Sequence, residues 1–584
     1  MRTYGHLAWA DPDVTKGAPH GAWGLQLDPH VAIRARRVFA KAEQNRSGII
    51  VLRHSADVAR DIAWLNDRYP LEADETVWDR LHAAVAEANR TDEVIERILT
   101  GTRLPVDGLR VAAQATRDYQ QPVVDMVTAV RRLLVTDALG LGKTHEGALT
   151  FRNPDALPGV VVTLTHLQDQ WRRQLETIWP DLHVHVLRKG TIYDLPWDGN
   201  PDIVVLNYAK LQGWSQHLAG WASAVVFDEV QDLRTGVGTS KGSAAAWISK
   251  SATYSVGLTA TPVYNYGGEL HSIVDILNPG ALGTREEFLR EWGGRSWTTS
   301  TGQGNATVKD PKALSNYMRD TGLMIGRTRA EVGRVLPFGE PEKIAHVVPA
   351  DEGVLERMSG DAVEMAKMIL GQTGTNRDRF HASGELDMRL RQATGIAKAP
   401  FVARFVESIL ESEQRVVLWG WHHAVYELWK ERLKPYGVVT YTGTETTGQK
   451  IAAETAFTTG AARVLIMSLR SGAGLDGLQN VCNVGIFGEL DWSPKVHDQC
   501  LGRLARDGQE NQVVGYYLMA DSGADPTIVE RLGLKEAQAR PIEDPTADIT
   551  APIPVDDTSR IRALAEAILR QHGIDPATST EGAA

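Results

Sequence analysis

A chain of 584 residues, 43% hydrophobic and 23% charged, is too long for one core and reads as a globular protein of about three or four domains. No apolar run approaches the ~18 residues of a membrane span, Met1-Arg2-Thr3-Tyr4-Gly5-His6 lacks the apolar core of a signal peptide, and two cysteines, Cys482 and Cys500, exclude a disulfide framework; a reduced, cytoplasmic setting without membrane is expected. The net charge of −11 weighs against a protein that coats nucleic acid, because counterion release needs clustered Lys and Arg, yet it leaves room for a motor gripping a few phosphates in one cleft.

Residues 1–108 mix a Pro/Gly-rich start with strand-like Gly48-Ile49-Ile50-Val51-Leu52 and a helix-like run from Ala83 to Ile98, and are expected to form an accessory domain. Arg34, Arg36 and Arg37 fit a solvated helix face better than a DNA contact. From Leu109 strands alternate with helices, the signature of a parallel sheet with crossover connections. Gln120 carries an amide able to pair with both a donor and an acceptor on an adenine edge; a surface glutamine is the alternative. The apolar strand candidate Leu133-Leu134-Val135-Thr136 then runs into Asp137-Ala138-Leu139-Gly140-Leu141-Gly142-Lys143-Thr144. Glycines at 140 and 142 let consecutive N–H groups face one anion, Lys143 can reach the outer phosphates of a nucleoside triphosphate, and the Thr144 hydroxyl can ligate Mg²⁺. A glycine-rich turn with a stray lysine is the plainer reading, and the strict eight-residue phosphate-loop pattern fails at Asp137.

Further along, Gly159-Val160-Val161-Val162-Thr163-Leu164, Asp202-Ile203-Val204-Val205-Leu206 and Tyr254-Ser255-Val256-Gly257-Leu258 read as buried strands. Between them Ala224-Val225-Val226-Phe227 runs into Asp228-Glu229-Val230-Gln231. An apolar strand has no structural use for paired acids at its carboxyl edge, where α/β sheets place ligands. Phosphoryl transfer to water does: Asp228 can hold the Mg²⁺ hydration shell and Glu229 can orient and deprotonate the attacking water.

In order, Gln120, Asp137 to Thr144, Asp228 to Gln231 and Leu258-Thr259-Ala260-Thr261-Pro262 resemble the nucleotide-side motifs of superfamily-two helicases, specifically the sucrose-non-fermenting type of remodelling ATPase. That family commonly carries D-E-M-G-L-G-K-T, which accounts for Asp137. Asn265, Glu269-Leu270 and Leu277-Asn278-Pro279 resemble the continuation of its L-T-G-T-P stretch, and Leu323 to Pro337 is similar to its M-I-R-R-T-K-x-D-V bridge, with Gly326 in place of one arginine. Gln231 departs from the acidic box that usually ends in histidine. The resemblance implies an α/β fold of two tandem RecA-like parallel-sheet lobes, residues 109–280 and 396–540, with ATP between them and a helical connecting region over 281–395.

In the second lobe Arg415 to His423 reads as a strand leading to a helix, and the adjacent His422 and His423 lack the company a metal site needs. Ser468 to Gln479 resembles the motif before the final strand; Asp476 touches the ATP ribose on one alignment and not on the other. Gln499 to Gln509 resembles Q-x-x-x-R-x-x-R-x-G-Q. On a helix, residues three apart share a face, so Arg503 and Arg506 are expected to project together as arginine fingers toward a γ-phosphate. Residues 541–584 read as an acidic linker and a short helix with the apolar stripe Ile561, Leu564, Ala565, Ile568 and Leu569, which docks on the body or binds a replication or recombination protein.

Trp419 to Val425 and Gly488-Glu489-Leu490-Asp491-Trp492-Ser493-Pro494 look like F-A-H-H and F-A-E-L-x-W-x-P of the HepA-related annealing-helicase branch. The expected activity is that of a monomeric, ATP-driven translocase or helicase acting on duplex or branched DNA. An RNA helicase of the D-E-A-D type and a catalytically idle DNA-binding scaffold are the alternatives. Thr259-Ala260-Thr261-Pro262 in place of a serine-led motif speaks against the first, and the intact hydrolytic residues speak against the second.

Overall fold

Alternation of buried and exposed residues builds an N-terminal antiparallel sheet of order β1-β2-β3: β1 (Gly5–Ala10), β2 (Ala22–Leu27) and β3 (Ile49–Arg53). Leu7, Trp23, Leu25, Ile50 and Leu52 share one face and pack against Val31 and Ala35 of the helix Pro29–Val38 and Val58, Ile62 and Leu65 of the helix Ala56–Arg68. Each of the Leu, Ile and Val side chains contributes about 1.5–3 kcal/mol by leaving water. The first two strands lie in a stretch whose Gly and Ala residues mask the alternation, so only β3 is anticipated by the sequence. Arg34 donates to the Tyr69 hydroxyl and lies over that ring, making it part of the module's own surface. This is a computed structural model, and it describes residues 2–532 except 12–20, 40–47, 106, 195–200, 264–266, 297–305, 336, 359–365, 368–375, 471–476 and 530–531.

The first parallel sheet takes β4 (Arg132–Val135), β5 (Gly159–Thr163), β6 (Val184–Val186), β7 (Ile203–Asn207), β8 (Ala224–Asp228) and β9 (Tyr254–Leu258). After a two-stranded excursion, β10 (Gly293–Ser296) with β11 (Ala306–Val308), the two-residue strand β12 (Met324–Ile325) returns to the edge beside β4. The order is β12-β4-β9-β8-β5-β7-β6. Strands β5, β7, β8 and β9 are buried at every position, as expected where helices cover both faces and the sequence reads as unbroken apolar runs. The loops leaving β4, β8 and β9 therefore open on one carboxyl edge, the edge that serves ligands in such sheets.

The described residues fall into two compact units, one running through residue 328 and the other from residue 329 onward. The second contains an all-parallel sheet of order β13-β18-β17-β14-β16-β15, made of β13 (Glu342–Val348), β14 (Val416–Gly420), β15 (Val438–Tyr441), β16 (Val464–Ser468), β17 (Val484–Phe487) and β18 (Val514–Ala520). The α/β class with two parallel sheets is the one the sequence implies. Strands β12 and β13 are not anticipated: one is two residues long, and the other is an exposed edge strand whose Glu342, Lys343, Ala345 and His346 carry no apolar run. A long helix, Asn376–Ser412, leads into β14. Among the described residues no helix is long and apolar enough to cross a membrane. The linker and helix expected over 541–584 lie outside the described residues.

Candidate active site

The loop after β4 turns through Gly140 at φ +83° and Gly142 at φ +91°, values that side-chain-bearing residues rarely adopt. A Cβ on Gly142 would also stand 2.5 Å from Gln120 Nε2. Gln120 is buried and both ends of its amide are used: Nε2 donates to Leu141 O at 3.0 Å and Oε1 accepts from the Arg117 N–H at 3.2 Å. Lys143 opens the short helix Lys143–Ala148, and its ammonium donates to the loop's own carbonyls, Asp137 O at 2.6 Å and Ala138 O at 3.1 Å. Burial pulls this ammonium below an ordinary lysine, while Asp137, Glu229, Glu146 and Asp228 around it oppose that pull. The phosphate loop and the paired acids, 85 residues apart between Lys143 and Asp228, thus meet at one place.

Asp228 is the last residue of β8. Its Oδ2 accepts from Thr163 Oγ1 and Trp171 Nε1, both at 2.8 Å, and its backbone carbonyl accepts from the Tyr208 hydroxyl at 2.7 Å. Burial, reinforced by the Glu229 charge, raises its carboxyl to about 6, against the pull of those two donors and Lys143. Glu229 follows at φ +53°, a left-handed conformation that costs a non-glycine residue on the order of 1 kcal/mol. The turn swings its side chain out of the strand line, and Gln231 Nε2 donates to Glu229 Oε2 at 2.5 Å. Gln231, where the resembling family has histidine, therefore aims the glutamate.

Because the folded-state carboxyl of Asp228 titrates near 6 and an unfolded aspartate near 3.9, the folded protein holds the extra proton between those values. Stability is then greatest below about pH 4 on this group's account and falls as pH rises to about 6. Asp228→Asn retains an oxygen to accept from Thr163 and Trp171, so it is expected to gain on the wild type by on the order of 2–3 kcal/mol between pH 4 and pH 7. Thermal melts of the nucleotide-free protein across that range check this; parallel wild-type and variant profiles would contradict it.

Asp137 does not turn its carboxylate to the cradle. It is fully buried and bound by Arg327, through the backbone N–H at 3.0 Å, Nε at 3.1 Å and Nη2, and the same Nη2 reaches Glu146 Oε1 at 3.0 Å. The neighbouring backbone is zipped in step, Thr136 N–H to Ile325 O at 2.7 Å and Ala138 N–H to Arg327 O at 2.9 Å. Gly326 is explained by the same closeness, since a Cβ there would lie 1.9 Å from Thr136 Oγ1. Arg327, Glu146, Thr163 and Trp171 are thus site residues that the sequence reading did not single out, while Gln231, noted there only as a departure from histidine, is given a role.

In the second unit the helix Pro494–Leu501 stops before the two arginines, which corrects the expected helical face. Past Gly502 the backbone closes in tight turns, with Arg503 N–H to Cys500 O and Leu504 N–H to Leu501 O bonds, so Arg503 and Arg506 project from a turn. Arg506 Nε caps the helix end through Gly502 O at 2.9 Å. Gln509 pins the turn by donating to Cys482 O at 3.0 Å and Leu504 O at 3.2 Å. Asp507 pairs with Arg329 at 3.4 Å and Arg334 at 2.6 Å. Cys482 and Cys500 are buried, and burial pushes both thiols up to about 12, so they are inert packing. Asp476 and Asn265 lie outside the described residues. His422 precedes the helix His423–Leu433 and its ring pairs with Glu489 rather than capping the helix; among the described residues no group of three or more His, Cys, Asp or Glu is arranged to hold a metal ion.

A sequence model of the SNF2-related domain matches residues 38–393. The chain belongs to that family. SNF2 membership carries ATP use with it. The chain is similar to the SWI/SNF-related matrix-associated actin-dependent regulator of chromatin subfamily A-like protein 1 of Drosophila melanogaster, 21% identical over 445 residues that cover 73% of this chain and 56% of that protein. Its Caenorhabditis elegans homolog is 24% identical over 416 residues, 68% of this chain and 57% of that one. The DNA annealing helicase and endonuclease ZRANB3 of Bos taurus is 25% identical over 433 residues, 69% of this chain and 38% of that protein. The SNF2 chain described here therefore spans a little over half of the first two relatives, and its likeness to the annealing helicases is distant.

Proposed function

We propose that this chain is a DNA-dependent ATPase that hydrolyses ATP to translocate on or remodel duplex or branched DNA. The observation that carries the reading is the meeting of Lys143 with Asp228 and Glu229 at the carboxyl edge of the first sheet of an SNF2-family chain. In this reading the N–H groups of the loop from Ala138 to Thr144 cradle the phosphates, and Lys143 exchanges the carbonyls of Asp137 and Ala138 for phosphate oxygens. Gln120 reads the adenine edge and, through Leu141, reports its occupancy to the loop. Glu229, aimed by Gln231, orients the water and takes its proton. Arg503 and Arg506 are proposed as the arginines that neutralise the charge developing on the γ-phosphoryl group.

The donors suit Mg²⁺, a hard cation that takes oxygen ligands. The Thr144 hydroxyl and Asp228 Oδ1 accept no hydrogen bond from any described residue, while Asp228 Oδ2 is held by Thr163 and Trp171. When bound there, the ion supplies charge neutralisation on the phosphates. Asp476 remains proposed as a ribose contact, and a cytoplasmic monomer is the proposed state of the protein.

The activity is tested by ATP turnover with and without duplex, forked and single-stranded DNA or RNA, together with displacement of a third strand from a triplex. Duplex- or fork-stimulated turnover with triplex displacement that weakens with salt is expected, because the grip is mostly on phosphates. Stimulation by RNA alone would favour the D-E-A-D alternative, and DNA binding without turnover the scaffold. Unwinding of a forked duplex without triplex displacement would exclude translocation on duplex.

A further inference from the structure

Beyond the active site, one short loop of the second unit gathers three side chains that hydrolysis does not use. The loop is Glu489-Leu490-Asp491, just after β17 on the carboxyl edge of the second sheet. Glu489 is buried, and its Oε2 accepts from the backbone N–H of Trp421 at 2.7 Å and of His422 at 3.0 Å while Oε1 pairs with His422 Nδ1 at 2.6 Å. Leu490 O accepts from Arg391 Nη2 at 3.0 Å. Asp491, 1% exposed, accepts from Arg470 Nη2 at 3.1 Å and is itself held by the Ser493 N–H at 2.9 Å. Successive residues of one loop thus set Trp421, Arg391 and Arg470 in place. The two guanidinium carbons lie 5.7 Å (Arg391) and 4.9 Å (Arg470) from the centre of the Trp421 ring.

A packing plug would be sealed from water, but Trp421 is only half-buried and the Arg470 side chain is 53% exposed. Three sheet strands deliver these groups or their holders: Trp421 follows β14, Arg470 follows β16, and the holding loop follows β17. In the stretch that resembles F-A-H-H, the indole stands where alanine would be. A ring with guanidinium groups lying over it supplies what binds single-stranded nucleic acid, a plane on which a base stacks when the exposed Arg470 moves off it and permanent cations that meet the phosphates. In continuous duplex each base is already stacked on both sides, so a side-chain face can receive only a base that has left the helix.

We propose that Trp421, Arg391 and Arg470 form a seat for one unpaired nucleotide of a DNA strand, and that this seat lets the chain distinguish DNA with single-stranded arms from continuous duplex. The inference deepens the reading of a DNA-acting motor and rests on it for the choice of polymer, not on hydrolysis.

The test is nucleotide-free binding at one salt concentration to a forked duplex and to a blunt duplex of the same length, for wild type, Trp421→Ala, Trp421→Phe and Arg391→Gln. Trp421→Ala should weaken fork binding about ten-fold or more while changing blunt-duplex binding less than about two-fold. Trp421→Phe should retain most of the preference. Arg391→Gln keeps a donor for Leu490 O but loses the charge, so the salt dependence of fork binding should become shallower by about one phosphate contact. A 2-aminopurine at the first unpaired position should change its fluorescence on wild-type binding and not on binding of Trp421→Ala. Thermal melts that match wild type keep the result clear of misfolding; Trp421→Phe carries the test if the alanine variant melts early. Equal weakening on fork and blunt duplex, or no weakening on either, would overturn the seat while leaving the motor reading intact. Failure of wild type to bind any DNA would instead overturn the motor reading itself.

Discussion

Lys143→Ala is expected to abolish ATP hydrolysis together with tight nucleotide binding, whereas Glu229→Gln should still bind ATP and turn it over at least about 10²-fold more slowly. The contrast follows from where the two side chains sit. The Lys143 ammonium lies among the four carboxylates around the loop, and it now rests on the Asp137 and Ala138 carbonyls, ready to be exchanged for phosphate oxygens. Removing it takes away both the cation and the group that spans the loop. The amide of Glu229→Gln keeps an oxygen for Gln231 Nε2, so the strained turn and the cradle persist while the capacity to take a proton is lost. Nucleotide affinity measured beside single-turnover hydrolysis separates the two effects. Wild-type turnover in either variant would remove the site assignment.

The second large effect is expected at Arg503 and Arg506, where alanine should cost about 10³-fold or more in turnover with little change in nucleotide affinity. A group that meets charge developing only in the transition state has this signature. Arg503→Ala is the cleaner of the two, because Arg506 Nε also caps the helix end at Gly502 O. Gln509 holds the turn through Cys482 O and Leu504 O independently of both arginines, so neither change should unfold it. Arg503→Lys should recover little, since an ammonium keeps the charge but not the planar fork. A defect confined to ATP affinity would show that the arginines act on the ground state instead.

What the sequence determined by itself is the part of this protein written in local pattern. Unbroken apolar runs mark β5, β7, β8 and β9 because strands covered on both faces need no alternation. Glycines before Lys143 and acids after Phe227 mark the carboxyl ends of β4 and β8, where chemistry and not packing selects the residue. Only the tertiary structure decided which side chains stand behind them. Trp171 meets Asp228 across 57 positions, and Arg327 meets Asp137 across 190, and no periodicity or spacing in one chain encodes such a meeting. It also decided that the Asp137 carboxylate is buried under Arg327, that Gly326 is small because Thr136 lies against it, and that Arg503 and Arg506 leave their helix at Gly502. Strand β13 escaped for the complementary reason: an edge strand is paid for by backbone hydrogen bonds to β18, and those leave no mark on the side chains.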